Sequence, residues 1–265
     1  MTTFVPTITT PAGGCLTRDN WQALGIDMVS CALDSLLMKP GFEALSKVED
    51  LKTYVGWDKD LVLDATMLRF DKEDRCTVQS TYDGARTQVT LEQFWALVQQ
   101  LRPTLLLLPE VELIPEWSTD ILPFFPVNQA DALSGSQACG LYLSAEEWMT
   151  QQEKWKRLML PLYLQDDKGM LSFIDLDHTA TLYYASEKPA ADAYEGTVYQ
   201  VQSTERILDD KFRLAFEPLD PNCACPTCLQ KCTGAYLHHL LQHTPLLCQR
   251  LLILHNIYFF ARKGA

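Results

Sequence analysis

The sequence predicts an α/β protein built around a parallel sheet. Two observations carry this expectation. Short, almost wholly apolar runs recur along the chain and stop at a polar residue or a proline: Leu61-Val62-Leu63 ends at Asp64, Leu105 to Leu108 at Pro109, and Leu160 to Leu164 near Gln165. Runs of that kind suit strands buried on both faces. Between them lie stretches with apolar residues at helical spacing. Strands alternating with helices imply a parallel sheet. A polar residue directly after a strand, as at Asp64, also suits the C-terminal rim of a (β/α) barrel. The plainer reading of Asp64 alone is a helix N-cap.

The remaining elements follow in order. Cys76 to Thr81 and Thr87 to Val89 flank Asp83-Gly84, a hairpin turn signal. Thr90 and Gln93 form a capping box, followed by Leu91, Phe94, Val98 and Leu101 at helical spacing. Ser144 and Glu147 form a second box, opening a helix expected to run through Trp148 and Trp155. Thr197 to Val201 reads as a strand. Thr244-Pro245 reads as an N-cap with proline at the first helical position, starting a helix towards Phe260.

The 265 residues, 47% apolar and 21% charged, are enough for one large domain or two small ones. No apolar run reaches the roughly 18 residues of a membrane span. The opening MTTFVPTITT lacks the basic and apolar regions of a signal peptide. A cytoplasmic protein without a membrane partner is expected. Residues 1–200 carry a net charge of −14 and residues 201–265 a net charge of +2. A body that acidic repels a polyanion, so any nucleic-acid contact is expected at the C-terminal segment or through a partner.

Five of the nine cysteines, Cys223, Cys225, Cys228, Cys232 and Cys248, crowd into 26 positions. The odd count without a secretion signal argues against a disulfide framework. The four scattered ones read as buried thiols. Cys223, Cys225 and Cys228 are spaced C-x-C-x2-C, so one tight loop can aim three thiolates at one ion. Zinc takes four sulfur or nitrogen ligands in a tetrahedron. His255, on the helix opened by Thr244-Pro245, is the expected fourth, if two helices fold back over the loop. Cys232 is close enough to compete, and His238, His239 and His243 read as exposed or hydrogen-bonded residues. Four protein ligands leave no open position, which makes the zinc structural.

The segments FEPLDPNCACPTC, AYLHHL and LLILHNIYFF closely resemble the zinc subdomain of the tRNA-guanine transglycosylase family. The resemblance extends thinly over TFVPTITTPAGG, VGWDKDLVLDATMLRF and STYDGARTQVTLEQFWALVQQLRPTLLLL. It implies a TIM-type (β/α) barrel over residues 1–204 and a zinc subdomain over 205–265, ending in a helix. It also implies exchange of guanine in tRNA for a 7-deazaguanine, through a covalent tRNA intermediate. That chemistry needs a carboxylate nucleophile. Setting YASEKPAADAYEG against the family motif puts Ala185 at the nucleophile position, and Ala191 and Tyr194 at two arginine positions. The family's DSGG becomes Asp64-Ala65-Thr66-Met67, and its base-recognising Asp becomes Glu110. NTYH becomes Ala32-Leu33-Asp34-Ser35, and GIVQGG becomes Leu162 to Asp167. Asp192 or Asp177 replaces the nucleophile only if that alignment slips.

Without the zinc segment about 200 residues remain, against about 250 for a full barrel. The expectation is a reduced or incomplete barrel, one or two βα units short, with LSFIDL and ATLYY as candidates to close the gap. The functional expectation is a non-catalytic accessory or scaffold subunit, closest in character to the family's accessory subunits. It would act as a homodimer or as a heterodimer with a catalytic member, with Asp64 and Glu110 as substrate-side carboxylates. Two alternatives stand beside it: a base-exchange enzyme with a changed nucleophile, and a repurposed binder of a base or nucleoside.

Overall fold

The computed structural model describes residues 2–111, 120–132, 139–173, 176, 178–201 and 203–262. They divide into two compact units, each assembled from three stretches of chain. The first comprises Met1–Thr10, Asp27–Gln165 and Asp177–Ala185; the second comprises Pro11–Ile26, Asp166–Leu176 and Ser186–Ala265.

The first unit is a barrel. Its strands, in chain order, are β1 (Thr2–Phe4), β2 (Met28–Ala32) and β3 (Asp60–Asp64), then the hairpin β4 (Arg75–Gln79) and β5 (Arg86–Thr90), then β6 (Leu105–Leu107), β7 (Leu122–Pro126), β8 (Gly140–Ser144), β9 (Leu162–Gln165) and β10 (Leu182–Ala185). Eight of them form one parallel sheet in the order β1-β10-β9-β8-β7-β6-β3-β2. The ring closes where Thr7, just past β1, bridges to Ser30 of β2. There the Ser30 N–H donates to the Pro6 carbonyl at 2.9 Å and the Ile8 N–H to the Ser30 carbonyl at 2.8 Å. β4 and β5 pair antiparallel outside the ring.

The apolar runs sit where two-sided burial puts them. Leu61, Val62 and Leu63 of β3 and all of β6 are buried. Val5, Met28, Val62, Leu105, Leu107, Phe124, Tyr163 and Ala185 form one core cluster. Gly140 marks the tightest approach in that packing. A Cβ there would be driven into the Phe124 ring. Gly140→Ala is therefore expected to cost about 1–3 kcal/mol, read as a lower urea midpoint with an unchanged slope.

An α/β barrel is present as expected, and its shortening falls on the connections rather than on the strands. All eight strands are complete by residue 185, about 23 residues per unit against about 31 in an ordinary barrel. ATLYY supplies the first three residues of β10, which pairs with both β1 and β9. Part of LSFIDL lies outside the described residues. Both capping boxes form, and the first opens the helix Leu91–Leu101. The helix after Ser144 is broken into Ala145–Thr150 and Gln152–Lys156, because Gln151 leaves helical geometry. The break carries the indole N–H of the buried Trp155 to the Glu147 carbonyl at 3.0 Å.

The second unit holds the hairpin β11 (Thr197–Tyr199) and β12 (Thr204–Arg206), and the helices Lys188–Tyr194, Pro226–Leu229, Gly234–His243 and Pro245–Arg262. The last packs against the other three. Among the described residues no helix is long and apolar enough to cross a membrane.

Candidate functional site

The cysteine loop begins with a turn in which the Asp220 carboxylate accepts the Asn222 N–H at 2.8 Å. Cys225 then caps the short helix Pro226–Leu229, whose first residue is proline. The Cys225 sulfur accepts the Cys228 N–H at 3.3 Å, and the Cys223 sulfur accepts the Cys225 N–H at 3.4 Å. Each bond favours a thiolate. Thr227 ties the loop to the long terminal helix by donating to the Leu251 carbonyl at 2.6 Å. One turn further along that helix, His255 faces the three sulfurs.

His255 Nδ1 lies 3.7, 3.5 and 3.4 Å from the sulfurs of Cys223, Cys225 and Cys228. All four donor atoms lie within 4.8 Å of one another. A tetrahedral ion with metal–sulfur bonds of about 2.3 Å and metal–nitrogen bonds of about 2.0 Å requires sulfur and nitrogen about 3.5 Å apart. The spacing therefore suits zinc. The other ring nitrogen, Nε2, donates to the Tyr199 carbonyl at 2.8 Å. That bond fixes the tautomer that leaves Nδ1 free to ligate, a usual outer-shell arrangement for a metal-bound histidine.

The protonation of these groups without a cation is conflicted. Hydrogen bonds from the Cys225 and Cys228 thiols pull Cys223 down into thiolate form, while Cys223 and Cys225 in turn push Cys228 up. Burial lowers the His255 imidazole, but the Cys223 and Cys225 sulfurs override it and hold it at about 10. A dication resolves the conflict by taking all four as deprotonated ligands.

Cys232 is not in the four-residue group, nor are His238, His239 and His243. His238 is buried against the Ile207 carbonyl at 2.9 Å. Asn256 sits beside His255 and is fully buried. Its Oδ1 accepts the Tyr199 N–H at 3.0 Å, and its Nδ2 donates to Thr197 at 3.0 Å and to Pro189 at 3.3 Å. The His255-Asn256 pair thus grips both backbone groups of Tyr199. Sequence reading fixed on the histidine alone; the amide directly after a candidate ligand was the available signal.

Asp64 ends β3 at the rim of the barrel. Its Oδ1 accepts the backbone N–H and the hydroxyl of Thr66, at 2.9 and 2.6 Å. Its Oδ2 accepts the side-chain amide of Gln165 at 3.0 Å. Gln165 ends β9, four places from β3 in the eight-stranded ring, so this bond spans the mouth of the barrel. The Arg69 guanidinium holds the Thr66 and Leu68 carbonyls of the same loop. Tyr142 of β8 donates to the Leu108 carbonyl at 2.9 Å. Burial, then the charges of Asp64 and Glu110, keep its phenol well above the ordinary tyrosine range. Glu110 is exposed and lines a cavity of about 610 Å³ with Phe70, Asp71, Leu91 and Val111.

Ala185 ends β10, with its methyl buried in the core cluster beside its register partner Gln165. Ala191 is exposed and Tyr194 half-buried on the helix Lys188–Tyr194. Asp192, on that helix, has both carboxylate oxygens engaged, one by Lys188 and one by the Tyr199 hydroxyl at 2.8 Å. Asp177 lies outside the described residues. Asp166 is buried, and its two oxygens accept the N–H groups of Met170 and Leu171 at 2.9 and 2.8 Å.

Comparison with known proteins adds the following. The family model described as queuine tRNA-ribosyltransferase matches residues 184–263. The queuine tRNA-ribosyltransferase of Clostridium perfringens (strain SM101 / Type A) is 29% identical over 100 residues, which is 38% of this chain and 26% of that protein. That of Clostridium acetobutylicum gives the same identity and coverage. The aligned stretch thus spans about a quarter of the length of these relatives. The queuine tRNA-ribosyltransferase of Lawsonia intracellularis is 21% identical over 311 aligned positions, covering 97% of this chain and 84% of that protein.

Proposed function

We propose that this chain, a relative of the queuine tRNA-ribosyltransferase family, is a non-catalytic accessory or scaffold subunit connected to 7-deazaguanine modification of tRNA. The observation that carries the reading is the hydrogen bond of Gln165 to Asp64 across the barrel mouth. A carboxylate that is to meet a base must keep an acceptor free for it. Here Thr66 takes both acceptor sites of Oδ1 and Gln165 takes one of Oδ2, so a base would have to share Oδ2 with Gln165 or displace it. Ala185 adds to this, since a buried methyl cannot attack a ribose carbon. The subunit would serve through its surface, as a homodimer or beside a catalytic member. tRNA would be met by the less acidic C-terminal segment or by that partner, with zinc setting the shape of that segment.

The cavity beside Glu110 favours one second reading, a repurposed binder of a base or nucleoside. Labelled guanine exchange into tRNA, followed by a denaturing gel for covalent adducts, tests the proposal. The protein alone, loaded with one zinc, is expected to give neither exchange nor adduct. Exchange with a trapped adduct would overturn it and point to an altered nucleophile. Failure to bind tRNA at low salt, alone or with a catalytic family member, would favour the base binder.

A further inference from the structure

The helix Gly234–His243 starts at Thr233, whose hydroxyl accepts the Tyr236 N–H at 3.2 Å. Residues four apart on a helix share a face. His239 and His243 are such a pair; both are exposed, and their ring centres lie 4.4 Å apart with the planes tilted by 38°. His238, directly before His239 in sequence, faces elsewhere. It is buried, with Nδ1 against the Ile207 carbonyl and Nε2 3.2 Å from the Gln242 amide nitrogen, so both its nitrogens are committed. Among the described residues no hydrogen bond engages the rings of His239 or His243, and neither belongs to the group around Cys223.

We propose that His239 and His243 form a second, surface metal site for a borderline divalent ion of the zinc, nickel and copper class. Imidazole nitrogen suits these ions. Two nitrogens that share one ion, each at about 2.0 Å, sit about 3 Å apart. Rings with centres 4.4 Å apart reach that spacing by rotating about their Cβ–Cγ bonds. The step is simple coordination: each neutral ring gives one lone pair, and water leaves the ion. Two protein ligands leave the other positions to water or to an incoming group. The ion is therefore exchangeable, unlike one held by Cys223, Cys225, Cys228 and His255.

The test uses the full chain without a tag, loaded with one zinc. Nickel(II) is the probe, because copper(II) would oxidise the thiols. Calorimetric titration near pH 7.5 is expected to show one nickel bound with no zinc released. His239→Ala and His243→Ala should each weaken that binding at least tenfold, with zinc content and far-UV circular dichroism unchanged. Nickel binding that survives both substitutions would assign the ion to other groups, such as the half-buried Cys15 or Cys232, and overturn the site. So would nickel that binds only by displacing zinc, or no binding at millimolar nickel.

Discussion

Cys228→Ala is expected to abolish zinc binding and to unfold much of the second unit. The sulfur it removes lies 3.4 Å from His255 Nδ1 and belongs to a residue that anchors the helix Pro226–Leu229. Zinc in a closed four-ligand site contributes to folding directly, on the order of 10 kcal/mol in small zinc-binding peptides. What remains after the substitution is two thiols and an imidazole at close quarters in a buried site. The expected readings are zinc content falling from about one equivalent to near zero, loss of helical circular dichroism, and rapid proteolysis after residue 186. Chelation of the parent protein should reproduce all three. A variant that keeps its zinc and its protection would mean that Cys228 is not a ligand, and Cys232 would be the next residue to replace.

Asn256→Leu should cause the second large loss, about 3–5 kcal/mol. The branched shape is kept with some added bulk, but the Tyr199 N–H and the Thr197 carbonyl lose the partner Asn256 supplies, and the Pro189 carbonyl is left with its helical one alone. An orphaned buried polar group costs about 1–3 kcal/mol. The urea midpoint of the zinc-loaded protein measures it. Asn256→Asp separates hydrogen bonding from shape. It keeps the acceptor for Tyr199 but sets a second carboxylate oxygen against two carbonyls. The folded state then prefers the protonated acid, so the folded pKa lies above the unfolded one and the deficit grows as pH rises from 5 to 8. A leucine variant within 1 kcal/mol of the parent would show that a bound water or a shift of β11 meets these groups instead.

What the sequence made legible was local. A capping box is chemistry between residues three apart, so Thr90 with Gln93 and Ser144 with Glu147 could be read off and both form. The C-x-C-x2-C loop could be read for the same reason. His255, 27 positions after Cys228, needed only the inference that two helices fold back. The number of barrel strands was misjudged, because a count from length assumes connections of ordinary size. Here they are short, and ATLYY, a five-residue run with little pattern of its own, supplies the first three residues of strand β10. Gln165 meeting Asp64 could not be foreseen. The two lie 101 positions apart, and nothing local in either run says that β9 faces β3 across a ring. The break at Gln151 was equally hidden, since it follows from where the Trp155 indole finds an acceptor.

The closure of the ring has a kinetic consequence. β1 is complete by Phe4, yet its parallel partner β10 begins only at Leu182. At about 5–20 residues per second, a ribosome needs roughly 10–35 seconds to make the chain between them. During that interval β1 can pair on one side only, and the growing sheet carries an open edge at its other end. Contacts so distant in sequence also slow the final step, because the loop entropy must be spent before the pairing returns anything. A nascent chain of this protein therefore spends that interval as an open, edge-exposed sheet, and that is the stage at which aggregation or chaperone binding competes with folding.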